Sequence, residues 1–99
     1  MAEDQRRLDA LASRFAGRYE LRFEAPVYLR ATSVSHSGPA VDDLRDIFEA
    51  FWLDPNGVPR KDSNYVYLNA YDKSGEWKLQ LYWDPKEKRI IESRDREHY

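Results

Sequence analysis

Cysteine is absent from this 99-residue sequence, so no disulfide framework, thiolate zinc site or cysteine nucleophile can be built from it. Histidine occurs only at His36 and His98, both in segments without regular patterning, and a multi-histidine metal site within one chain lacks its ligands. Glycine is sparse as well. Gly17, Gly38, Gly57 and Gly75 stand singly beside turn signals, and no glycine cluster is present to cradle a phosphate. No apolar run reaches membrane-spanning length, and Met1 to Arg7 is polar with no signal-like apolar stretch after it, which directs the expectation to the cytoplasm. Nor is there an excess of either charge: 16 Lys and Arg against 18 Asp and Glu leave a net charge of -2. The chain therefore lacks the overall basic field from which nucleic-acid binding draws its affinity.

Aromatic residues are plentiful, at 14% of the chain with seven Tyr, four Phe and three Trp, which is far from the composition of a disordered segment. The length fits one domain with one core over residues 1–99. Leu8, Leu11, Ala12 and Phe15 recur at helical spacing, with acids at Glu3 and Asp4 and a stop at Gly17. Val41, Leu44, Ile47, Phe48 and Phe51 repeat the pattern, with Asp42 and Asp43 in the first turn and the cluster Asp54 to Gly57 ending it.

Between these helices Tyr19 to Ala25 alternates as a half-buried strand, and Val27 to Thr32 is either a second strand after a tight turn or a continuation past a bulge at Pro26. The last third reads as a meander: Tyr65 to Tyr71, Glu76 to Trp83 and Arg89 to Ser93, followed by a frayed tail over 94–99. The expected fold is α+β, an antiparallel sheet of four to five strands with two helices packed on one face, in the order α-β(β)-α-β-β-β.

Two registers compete in the hairpin that turns at Asp72 to Gly75. If all four turn residues lie in the loop, Val66, Leu68 and Ala70 share the core face with Trp77, Leu79, Leu81 and Trp83. Tyr65, Tyr67, Asn69 and Tyr71 then lie on the open face beside Lys78, Gln80 and Tyr82. A three-residue loop with a bulge at Gly75 would bury the Tyr set and Asn69 instead. The first register is preferred because it leaves no unpartnered amide in the core and no aliphatic stripe in water. The expected core is Leu8, Leu11, Phe15, Leu21, Phe23, Leu44, Ile47, Phe48, Phe51, Val66, Leu68, Trp77, Leu79, Leu81 and Trp83.

Chemistry-bearing constellations are thin. Asp42, Asp46 and Glu49 share a helix face, but Arg45 is interleaved with them as on any solvated face. Ser35, His36 and Ser37 are neighbours without a nucleophile elbow. Lys86, Lys88 and Arg89 are diluted by Asp84 and Glu87. No motif calls for a cofactor or a metal.

The feature that points outward is the Tyr-rich open face, because Tyr gives rigid amphipathic contact area. The expectation is a non-catalytic protein-binding module, an inhibitor, immunity-type antagonist or adaptor, whose partner-binding residues are Tyr65, Tyr67, Tyr71, Lys78 and Tyr82. The partner is another protein or a second copy, and neither nucleic acid nor membrane. Two alternatives stand beside it. One is a homodimer through the same face or an edge strand; the other is a ligand-binding or enzymatic pocket walled by Trp77, Trp83 and Tyr19.

Overall fold

A computed structural model describes residues 2–25, 27–35, 37–60 and 66–95. Helices α1 (Ala2–Arg14) and α2 (Val41–Trp52) accompany strands β1 (Tyr19–Ala25), β2 (Tyr28–Ser33), β3 (Tyr67–Tyr71), β4 (Trp77–Asp84) and β5 (Arg89–Ser93). The strands form one sheet in the order β1-β2-β3-β4-β5. This is the α+β arrangement expected from the hydrophobic periods. Neighbouring strands are antiparallel except β2 and β3, which run parallel. The parallel pair follows from connectivity, since α2 lies between these strands in sequence and a parallel pair needs such a crossover.

α1 turns its apolar stripe inward, leaving Leu8 and Leu11 almost covered and Phe15 1% exposed. It is closed by Gly17 at φ 89°, where a side chain would be strained, and by the Arg18 and Tyr19 N–H groups, which both donate to the Phe15 carbonyl at 3.0 Å. α2 buries Leu44, Ile47, Phe48, Phe51 and Trp52. Its first turn has no side-chain cap; instead the Ala40 N–H donates to the Tyr19 hydroxyl at 2.8 Å, and Arg18 pairs with Asp43 at 2.9 Å. After Leu53 the Asp54 carboxylate accepts from the N–H groups of Asn56 and Val58 at 2.8 and 3.0 Å, fixing the turn that the sequence marks there.

The sheet's cross-strand rows place the core. Leu29, Leu68 and Leu81 lie in one row and Ala31, Ala70 and Leu79 in the next, and all six are buried against the helices. The expected core holds for most of its members, and Tyr19, Leu29, Ala31, Trp52, Leu53, Ala70 and Ile90 join it. Leu21 and Phe23 are corrected to half-buried, because β1 is a sheet edge and only one of its flanks is covered. Of the two readings of the segment after Pro26, the second strand holds: β2 returns antiparallel to β1, with an irregularity between Phe23 and Ala25.

The β3–β4 hairpin keeps the preferred partition of faces, with Leu68 and Ala70 on the side of Leu79 and Leu81, but not its register: Leu68 lies opposite Leu81 and Ala70 opposite Leu79, where a four-residue loop would set Leu68 opposite Leu79 and Ala70 opposite Trp77. Near the turn the ladder shifts so that Tyr71 opposes Trp77. This bulge overturns the expected place of Trp77. Its indole Nε1 donates at 3.2 Å to Asn69, on the face away from the helices. The bulge also removes the reason given for the register, since Asn69 is 1% exposed and keeps one unbonded amide atom.

Candidate partner-binding face

The face opposite the helices is built from alternate positions of the three central strands. One row contains Tyr28, Tyr67 and Tyr82, and the next contains Arg30, Asn69 and Gln80. Strand pairing brings the aromatic groups together: the Tyr28 and Tyr67 rings stack at 5.1 Å between centroids, and Tyr67 meets Tyr82 at 6.2 Å. Such contacts fix ring orientation and add to what area burial provides. In the following row Thr32 pairs with Tyr71. The Arg30 guanidinium lies 3.7 Å from the centre of the Tyr71 ring, held there by Glu24 at 3.0 Å and the Thr32 hydroxyl at 3.1 Å.

The central amides form a small network. Asn69 Oδ1 accepts from Trp77 Nε1 at 3.2 Å and from Gln80 Nε2 at 3.0 Å. Asn69 Nδ2 and Gln80 Oε1 are left without a hydrogen-bond partner. At the turn end, Lys78 is half-exposed, its Nζ 3.4 Å from Glu76 and 3.6 Å from Asp72. The Asp72 carboxyl is held below the usual carboxylate range, first by the Ser74 hydroxyl, then by the N–H groups of Glu76 and Ser74 and by the Lys78 charge.

Of the five residues expected to bind a partner, Tyr67, Tyr71 and Tyr82 lie on this one face, Lys78 is the unpaired residue of the bulge at the turn end, beside Asp72 and Glu76, and Tyr65 falls outside the described residues. Their exposure differs from expectation. Tyr67 and Tyr71 are 6% and 8% exposed, so the Tyr face is not an open row of rings. Tyr67 is covered in part by its stacked neighbours and Tyr71 by Arg30. Tyr28, Arg30, Trp77, Lys78 and Tyr82 are half-buried and form the reachable part. Tyr28 and Arg30 were not legible as members of this face, because their place depends on the parallel pairing of β2 with β3; Trp77 was hidden by the bulge.

The other constellations remain apart. Trp77 lies on the opposite face from Tyr19 and Trp83. Tyr19 sits at the Ser33 end of the sheet and Trp83 at the Val66 end, so the three do not wall one pocket. The Ser35 and Ser37 hydroxyls bond each other at 2.9 Å, while His36 and His98 lie outside the described residues. Among the described residues no three His, Asp or Glu side chains converge to hold a metal ion. No described helix is long and apolar enough to cross a membrane. Comparison of the chain with protein-family models, curated proteins and solved structures finds no match.

Proposed function

We propose that this chain is a non-catalytic binding module that recognises another protein through the sheet face opposite its helices, acting as an inhibitor, immunity-type antagonist or adaptor. The observation that carries the reading is the aromatic row Tyr28, Tyr67 and Tyr82, locked by ring contacts across three strands. A rigid row loses little side-chain freedom on binding, and aromatic anchors with an adjacent cation are the residue types that concentrate binding energy. The buried Tyr67 and Tyr71 serve as supports. Tyr82, Tyr28, Trp77 and Lys78 form the contact rim.

The test is affinity capture with the purified chain, followed by titration of the recovered protein against wild type, Tyr82→Ala and Lys78→Glu, each first checked for an unchanged unfolding midpoint. Tyr82→Ala is expected to weaken the complex about 30-fold or more, the scale of an interface hot spot. A partner that binds both variants as tightly as wild type would place recognition on another surface.

A further inference from the structure

The β1 edge of the sheet is open and has a pattern that its own copy can read. The N–H of Val34 donates to the carbonyl of Arg18 at 3.0 Å, continuing the register that sets Tyr19 opposite Ser33 and Leu21 opposite Ala31. In an antiparallel ladder, hydrogen-bonded pairs alternate with non-bonded ones. The carbonyl of Arg18 and the main-chain groups of Glu20 and Arg22 therefore point toward β2, and those of Tyr19, Leu21 and Phe23 point away from the sheet. The Tyr19 N–H is taken by the Phe15 carbonyl. The N–H and carbonyl of Leu21, the N–H of Phe23 and the carbonyl of Tyr19 face outward along an edge that no described strand covers.

The outward pattern is also charged in alternation, with Glu20, Arg22 and Glu24 exposed. Among the described residues Glu20 and Arg22 have no ion-pair partner, whereas Glu24 is held by Arg30 at 3.0 Å. Alongside the edge runs an open depression of about 760 Å³, bordered on the α1 side by the small residues Ala12, Ala16 and Gly17. No bulky side chain from α1 borders that depression.

We infer that β1 pairs antiparallel with β1 of a second copy, about a two-fold axis through Leu21, to give a sheet continuous through both chains. Centring decides the register. An axis through Arg22 sets Arg22 against Arg22 and Glu20 against Glu24, which repel. An axis through Phe23 needs Glu24, already paired, and the stretch where the β1 ladder is irregular. An axis through Leu21 sets Glu20 of each copy against Arg22 of the other, at the non-hydrogen-bonded positions where side chains approach most closely. Leu21 then bonds Leu21 of the second copy in both directions, the Phe23 N–H meets the Tyr19 carbonyl of the second copy, and Leu21 and Phe23 lose their half-exposure. Such an interface is isologous and closes at two chains. It leaves the aromatic face of each copy uncovered, so it stands or falls apart from the proposed recognition of another protein.

The experiment is sedimentation across a wide concentration range of wild type, Glu20→Arg, Arg22→Glu and the double variant Glu20→Arg with Arg22→Glu. These side chains are exposed, so the fold is retained, and unchanged unfolding midpoints verify it. Wild type is expected to show a monomer–dimer equilibrium. Each single reversal turns two attractive cross-strand pairs into repulsive ones and weakens the dimer about tenfold or more, and the double variant restores it by exchanging the signs. Monomeric wild type throughout, association indifferent to the single reversals, failure of the double variant to recover, or species that grow beyond the dimer would each overturn the pairing.

Discussion

Asn69 accepts two hydrogen bonds through one oxygen while its amide nitrogen, and the oxygen of Gln80, bond nothing. The orientation is forced, because an indole N–H only donates and so requires an oxygen facing Trp77. Both amides are essentially inaccessible, at 1% and 0%, and the bond that Gln80 makes depends on Asn69. Replacing Asn69 by Leu strands the whole Gln80 amide, which carries a desolvation cost of about 1–3 kcal/mol. Replacing both by Leu removes the stranded group together with its former partner, and that exchange is close to neutral when shape is kept. Urea denaturation of the double-mutant cycle is expected to show Asn69→Leu as less stable than the double variant. Wild-type stability in Asn69→Leu would mean that the network contributes nothing. From the sequence, Asn69 and Gln80 were face-mates in the preferred of the two hairpin registers. Their burial was not legible, because it depends on side chains that arrive from β2 and from the bulge at Trp77.

At the scale of elements, one side chain joins three of them. Tyr19 opens β1, its ring meets Phe15 just beyond α1 at 6.3 Å, and its hydroxyl accepts the Ala40 N–H that precedes α2. The two helices, the alternation of β1 and the final meander were legible because each carries its own period and punctuation. This junction was not, since nothing local in Ala40 announces that a residue 21 positions earlier supplies its acceptor. Burial pushes the Tyr19 phenol above its ordinary value of 10.0; the Asp43 charge adds to this, and the Ala40 bond and the Arg18 charge oppose it. The folded state thus retains its proton to higher pH than the unfolded state does. The stabilisation is fully present below pH 10 and is lost as pH rises through the raised folded value. Denaturation between pH 8 and 11 is expected to show wild type losing stability more steeply above pH 10 than Tyr19→Phe, with the two curves parallel below it. Equal slopes above pH 10 would show that this phenol is not linked to folding.

Across the whole molecule the sheet is graded from a closed centre to open edges. β3 lies third of five strands, and each of its residues is buried on whichever face it points to. Its five-residue run of alternating Tyr, Leu, Asn, Ala and Tyr reads in isolation as a strand with one wet face. What closes the second face is the parallel contact with β2, a pairing between distant segments that no local period encodes, together with the cation and indole that this contact and the bulge bring over it. Central burial and pairing on both flanks mean that the β3 amides open only in large, cooperative unfolding, whereas outward amides on an edge strand open without it. Hydrogen exchange in dilute solution is therefore expected to be slowest at β3 residues such as Leu68 and Ala70, approaching the rate set by global unfolding, and fast at Leu21 and Phe23. Raising the concentration should slow exchange at Leu21 and Phe23 selectively, because the proposed pairing engages those two N–H groups and leaves the β3 ladder as it is. If Leu21 and Phe23 match β3 in protection even at high dilution, the β1 edge is already covered within the monomer and has no free main-chain groups to offer a second copy.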